Sequence, residues 1–218
     1  MKKILPFLLF FTTVFHAQND SIVVDNKYLE DQIYVGFVYQ TLLGLPDEIT
    51  QTGFSYGVGF GFIKDLPINK LRDKALGFGL GYNYNTHYFN FTESDSNADV
   101  NESVTKSNRV GIHNIELPVE FRFRTSTPTK YKFWRIYPGF KFSYGFSVNT
   151  NLKQSEDFDV KEIIKVNKFQ YGITLSAGYN KWNLFAYYGL SELYNKQEHI
   201  PIDISPNELK LGLIFYML

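Results

Sequence analysis

The chain has 218 residues, with 22 Lys and Arg against 22 Asp and Glu, no cysteine, and 16 Tyr, 21 Phe and 2 Trp. The balanced charge argues against a nucleic-acid binder, which needs clustered cations to displace phosphate counterions. The lack of cysteine excludes a disulfide scaffold, a thiol enzyme, a Cys-ligated zinc site and a diacylglycerol lipoprotein anchor, and a hydrophobic fraction of 44% is too high for a disordered chain.

Residues 1–17 read MKKILPFLLFFTTVFHA. Lys2 and Lys3 form a positive start, the apolar run from Ile4 to Phe15 falls short of the ~20 residues of a spanning helix, and Ala17 offers a small residue before a polar stretch. This predicts a secretory signal peptide cleaved between Ala17 and Gln18. Residues 18–31 then read as a short polar lead-in to a barrel domain over 32–218.

From Gln32 onward the pattern has period two. In the second segment Phe54, Tyr56, Val58, Phe60 and Phe62 share a face opposite Ser55, Gly57, Gly59 and Gly61. In the third, Leu76, Phe78, Leu80, Tyr82, Tyr84 and Tyr88 oppose Gly77, Gly79, Gly81, Asn83, Asn85 and His87. In the fourth, Ile115, Leu117, Val119, Phe121 and Phe123 oppose Asn114, Glu116, Glu120 and Arg122. In the fifth, Trp134, Ile136, Phe140, Phe142, Tyr144 and Phe146 oppose Arg135, Gly139, Lys141, Ser143 and Gly145. Such alternation means strand. It predicts about eight strands, near 32–43, 52–64, 75–91, 109–124, 133–148, 165–179, 182–194 and 207–218. The one helical candidate is the linker around Asn69 to Lys74.

The sixth and seventh segments are separated only by Asn180 and Lys181. A two-residue hairpin loop sets Tyr179 opposite Trp182 and carries the pairing on to Tyr171 with Leu190 and Gln170 with Ser191. At the other end of the barrel wall the connections 92–108, 149–164 and 195–206 are long and acidic. The short ones carry Lys70, Arg72, Lys74, Lys130 and Lys181.

The alternate glycines decide which face is inside. A soluble barrel turns its smaller face to water and needs polar residues there, whereas glycine on an exposed strand adds nothing to solubility. Alternate glycines fit the cramped interior of a narrow barrel whose Phe, Tyr, Leu and Ile face lipid. The reading is therefore all-β: an antiparallel up-and-down transmembrane β-barrel of about eight strands in the bacterial outer membrane, with outer-membrane lipid as its surroundings. Each strand has the ~9–11 residues a tilted crossing requires. Tyr82, Tyr84, Tyr88, Trp134, Tyr179, Trp182 and Tyr188 are the candidate interfacial aromatics. In the last strand Leu209, Leu211, Leu213, Phe215 and Met217 form the lipid row, because the other row holds Lys210.

The segments IELPVEFRFRT (Ile115 to Thr125) and YPGFKFSYGFS (Tyr137 to Ser147), with the glycine-rich FSYGVGFGF and LGFGLGYNYN, resemble PorT-like outer-membrane β-barrel proteins. By that resemblance alone, a partner role in a type IX secretion or surface complex is implied.

Among residues that could carry chemistry, Glu116, Glu120, Arg122, Arg135 and Lys141 share the inward face of two neighbouring strands. Two registers present themselves, one pairing Glu120 with Arg135 and Asn114 with Lys141, the other pairing Glu116 with Lys141 and Arg122 with Arg135. The cluster reads as an ion-pair plug, since an eight-stranded barrel holds side chains and no aqueous channel. Pro118 and Pro138 each remove a ladder donor and mark expected bulges. His113 starts its strand facing outward, and His87 and His199 sit in or near the long loops. His87 with Ser94, Ser96, Ser103 and Asp95 offers a rim triad as an alternative, and no metal or cofactor motif occurs. The expected function is a non-enzymatic structural or interaction role, through the long loops or as a partner of other envelope proteins. The alternatives are a rim enzyme or small-ligand binder, and a soluble lipocalin-like periplasmic carrier.

Overall fold

The computed structural model describes residues 29–45, 49–51, 53–91, 107–125, 133–151, 165–194 and 206–217. The proposed signal peptide, most of the lead-in, Ser94, Asp95, Ser96, Ser103, His199 and most of the long acidic loops lie outside them. Nine strands follow in order: β1 (Gln32–Leu43), β2 (Ile49–Thr50), β3 (Tyr56–Pro67), β4 (Lys74–Phe91), β5 (Ser107–Arg124), β6 (Trp134–Asn151), β7 (Phe169–Tyr179), β8 (Trp182–Glu192) and β9 (Asn207–Met217). The two-residue β2 pairs only with the end of β4. The other eight pair with their sequence neighbours, all antiparallel, and β1 pairs with β9 to close an up-and-down barrel. Closure leaves none of the long strands with an unpaired edge, which is what a wall in lipid requires.

The two faces separate cleanly. Val35, Phe37, Phe60, Phe62, Leu80, Leu117, Phe121, Phe140, Phe142, Leu175, Leu184 and Leu211 are exposed on the outside. Inside, Gln40, Asp65, Asn85, Glu116, Arg122, Lys141 and Lys210 are buried. A soluble fold has the opposite arrangement. In β9, Leu211, Leu213 and Met217 point outward while Glu208, Lys210, Ile214 and Tyr216 are buried within.

The hairpin between β7 and β8 has the expected register, from Tyr179 with Trp182 to Gly172 with Gly189, and Asn180 adopts the positive φ (57°) its turn needs. The linker at Asn69 to Lys74 is a turn and not a helix: Arg72 takes φ 56°, and Arg72 N–H donates to the Asn69 carbonyl. Between β5 and β6 neither expected register holds. Glu120 faces Gly139, Pro118 faces Lys141 and Arg124 faces Arg135, a further slip of two residues that keeps every side chain on its own face. The register shift lies at His113/Asn114, away from both prolines. At the prolines the ladder skips pairs without changing register. Gly79 and Leu80 are unpaired with Leu117 and Pro118, and Phe121 and Arg122 with Tyr137 and Pro138. Each proline removes a donor without adding a residue, so no bulge is needed.

The inner glycines make room for particular side chains. A Cβ on Gly77 would stand 2.7 Å from Arg122 Nε, and one on Gly81 would run into the Tyr34 hydroxyl. Gly81→Ala should therefore lower the unfolding free energy in urea by about 1–3 kcal/mol, the usual cost of overpacking. Tyr34→Phe in the same chain should recover at least half of it, since that hydroxyl is buried without a hydrogen-bond partner.

Candidate functional site

The lumen is filled by three groups of charged and polar side chains stacked along its axis. The first lies at the short-turn end, where β3, β5, β6 and β9 converge. Asp65 is its centre. It accepts from Arg124 through both carboxylate oxygens, Nη1 to Oδ1 at 2.9 Å and Nη2 to Oδ2 at 2.8 Å, and from Arg122 Nη1 at 3.0 Å. Arg122 also donates Nε to Glu120 at 3.0 Å, Nη1 to the Glu30 carbonyl at 3.0 Å and Nη2 to Gln32 Oε1 at 3.1 Å. Tyr216 donates its hydroxyl to the other Glu120 oxygen at 3.0 Å. The Asp65, Arg122 and Arg124 side chains are 0% exposed. Bidentate and charge-assisted bonds of this kind are the strong class, and they offset the desolvation of three ions.

Arg135 stands beside this group in a ring of aromatics, its Cζ 4.6 Å from the Phe133 centroid, 5.6 Å from Tyr216 and 5.8 Å from Tyr137. Arg135 Nε and Nη1 have no hydrogen-bond partner, and the rings and the nearby Glu30 carboxylate supply favourable contacts. It lies opposite Arg124, and the pairing of Arg124 with Asp65 relieves that like-charge contact.

Mid-barrel, Lys141 Nζ lies 3.0 Å from Glu116 Oε1 and sits over the rings of Phe185 (5.2 Å) and Tyr187 (5.0 Å). Lys141 thus reaches Glu116 diagonally, two positions from the residue it faces. Toward the long loops, Glu208 bridges Lys210 at 3.0 Å and His87 Nε2 at 3.3 Å. Gln40 donates to the carbonyls of Thr86 (2.7 Å) and Tyr56 (3.1 Å). Above them Leu42, Val110, Ile112, Val166, Leu193 and Tyr194 pack into an apolar stopper. A small cavity of about 30 Å³ lies among the described residues between Tyr34, Asn83, Glu116, Lys141, Phe185 and Lys210. That is room for water molecules and for no larger ligand.

The structure places Glu116, Glu120, Arg122, Arg135 and Lys141 inside the barrel, in two separate groups. Sequence reasoning passed over Asp65, Arg124, Gln40 and Glu208. For Asp65 the signal was available: it continues the inward parity of Gly57, Gly59 and Gly61. His87 corrects the rim-triad expectation. It lies within β4, 0% exposed, and turns into the lumen toward Glu208. No group of three or more metal-ligating residues occurs among the described residues.

The interfacial candidates fall at two levels. Trp134 stacks at a tilt on Tyr179 (5.3 Å), and Trp182 meets Phe215 edge-on (4.7 Å), all at the short-turn end. Tyr82, Tyr84, Tyr88 and Tyr188 stand toward the long loops, where Tyr82 hydrogen-bonds His113.

Removing Asp65 would take a shared carboxylate and three charge-assisted bonds from two buried guanidinium groups. Asp65→Ala should cost about 3–5 kcal/mol in vesicle-based urea unfolding. Lys64→Ala, which breaks an ion pair whose lysine is half exposed, should cost less than about 1 kcal/mol by the same measurement.

A family model described as an outer membrane protein beta-barrel domain matches residues 16–195. Among solved structures, the N-terminal β-barrel domain of Pseudomonas aeruginosa OprF is 10% identical, with 87% of this chain and 100% of that chain covered and a TM-score of 0.30. Ail, the attachment invasion locus protein of Yersinia pestis, is 14% identical, with 86% and 97% covered and a TM-score of 0.33. No curated protein matches the chain. The family match spans well over half of the sequence, and the closed eight-stranded wall with its apolar exterior agrees with it. The chain belongs to the outer membrane protein beta-barrel domain family and sits in outer-membrane lipid.

Proposed function

We infer that this protein is a closed, non-conducting envelope barrel, exported by the signal peptide at residues 1–17, without enzymatic activity, that works through its long surface loops as a structural or interaction element. The observation that carries the reading is the filled lumen. Asp65 with its two arginines, the Glu116–Lys141 pair, the Glu208–Lys210–His87 group and the apolar stopper occupy successive levels of the interior. A barrel plugged along its axis does not transport solutes, so its partners meet the wall or the loops. The resemblance to PorT-like barrels favours a place in a secretion or surface complex. A soluble carrier is disfavoured because the buried interior is charged and the large apolar side chains are on the outside. The rim-triad alternative loses its histidine to the lumen.

Three measurements test the reading. Purified protein in planar bilayers should give no conductance steps; a stable open channel would refute the closed lumen. A tagged copy, solubilised gently from native membranes, should bring down a stoichiometric envelope partner, and recovery of the barrel alone would count against the interaction role. The intact mass of the mature protein should correspond to a chain starting at Gln18.

A further inference from the structure

The outside of β4–β6 carries a basic cluster that the lumen does not explain. These three strands are 18 residues long, whereas the other long strands have 11 or 12. Their extra length extends toward the long loops, by about 20 Å along the strand. On β5 the outward row Ile115, Leu117, Val119, Phe121 and Phe123 is apolar, and the next outward positions are His113, Gly111 and Arg109. On β5, then, the outward row turns from apolar to basic and small at His113.

The side chains there form one patch. His113 Nδ1 lies 2.6 Å from the Tyr82 hydroxyl, and its Nε2 3.2 Å from Asn149 Nδ2. The His113 ring is 4.7 Å from that of Tyr84 and 6.1 Å from that of Phe146. Arg109 donates Nη2 to the Tyr84 hydroxyl at 2.7 Å and stands 5.9 Å from the Tyr88 ring centre. Gly111 lies between them. A Cβ there would come within 2.7 Å of the Tyr84 hydroxyl, so the missing side chain is what lets this tyrosine reach Arg109. The register shift at His113/Asn114 leaves Phe146 unpaired on β6 and sets it beside His113 and Tyr82. Inside the barrel, Lys141 and Lys210 each have a carboxylate. No carboxylate among the described residues pairs with Arg109 or His113.

A patch of one arginine and one histidine, floored by tyrosines and continuous with exposed lipid-facing Ile115 and Phe146, suits a ligand with two parts, an anionic oxygen group beside Arg109 and acyl chains below it. We propose that this patch seats a phosphate of a phosphorylated glycolipid in the outer leaflet, with the acyl chains running down over Phe146, Ile115 and Phe60. A phosphatidylethanolamine is a poorer fit, because its own amine already neutralises its phosphate. A free phosphate would use Arg109 and leave the apolar floor idle. The proposal rests on the long loops facing the cell surface.

The test is lipid retention by the folded full-length barrel in nanodiscs of phosphatidylethanolamine doped with bis-phosphorylated lipid A, read by native mass spectrometry. Such discs present lipid A on both faces, so retention does not depend on orientation; protease access on intact cells checks that separately. The protein should hold lipid A, and Arg109→Gln with His113→Gln should lower its retention about tenfold, as expected for loss of a charge-assisted hydrogen bond. Retention of phosphatidylethanolamine should not change, and Arg109→Lys alone should keep more than half of the lipid A. Heat-modifiable migration verifies that each variant is folded, and the two single variants give the same readout if the double one is not. Undiminished retention by the folded variants would overturn the proposal. So would equal retention of dephosphorylated lipid A, or complete displacement by millimolar inorganic phosphate, which would identify a free-anion site.

Discussion

Asp65 is the residue on which the interior of this barrel depends. Its carboxylate, 0% exposed, is shared by two guanidinium groups and is the point at which they are tied together. Arg122 extends the tie to the Glu30 carbonyl and to Gln32, the first residue of β1, while Glu120 carries it to Tyr216 on β9. One acidic side chain on β3 thus connects strands on several sides of the wall. The glycines opposite follow from it. Gly77 lacks a side chain where Arg122 passes, and Gly81 lacks one where Tyr34 stands. In a barrel this narrow, each large inward side chain requires a small one across from it.

The same rule applies further along the axis with weaker chemistry. Mid-barrel there is a single lysine–glutamate pair backed by two aromatic rings, and then a histidine, a glutamate and a lysine held together near the loops. Hydrocarbon finally closes the outer end. Charge is compensated at each level where it occurs, and Arg135, near the Glu30 carboxylate, adds contacts with rings. An interior so arranged is a core in the ordinary sense, although it is made of ions where a soluble protein has leucines. Its cost in desolvation is met by geometry, and geometry of that quality leaves little freedom for a solute path.

Much of this was legible in the sequence because a strand's parity is visible in it. The alternation of Phe60 and Phe62 with Gly59 and Gly61 gave both the strand and its inner face. The Asn180–Lys181 loop fixed a whole hairpin register, since a two-residue turn leaves no choice of partners. The register of β5 on β6 was not legible. A shift of two residues returns each side chain to the face it had, so alternation is silent about whether Lys141 faces Asn114, Glu116 or Pro118. The centre at Asp65 was hidden for a related reason. It stood at a strand end and read as the start of a connection, although its parity already pointed inward. His87 was misplaced in the same way: proximity along the chain to a serine-rich loop suggested a rim site, while its odd position in β4 aimed it at Glu208. In each case parity was the better guide than distance along the chain.

The contrast between the two sides of the wall bears on where the protein meets its surroundings. Inside, Arg122, Arg124, Lys141 and Lys210 each have an acidic partner within hydrogen-bond distance, and the lumen offers a visitor almost no unused charge. Outside, Arg109 and His113 face tyrosines and an asparagine. A guanidinium in water costs little to leave in that state, but Arg109 and His113 adjoin the apolar belt, at the level the proposal gives to lipid headgroups. The extension of β4–β6 beyond their neighbours lifts this patch to that level. Without it, the outward positions of β5 past Ile115 would belong to a loop and could not hold a fixed spacing. The longer strands therefore act as a rigid mount, and the face they present to lipid differs in chemistry from that of β7–β9, where the outward side chains of Tyr171, Ile173, Leu175, Leu184, Leu190, Leu211 and Leu213 are exposed apolar surface.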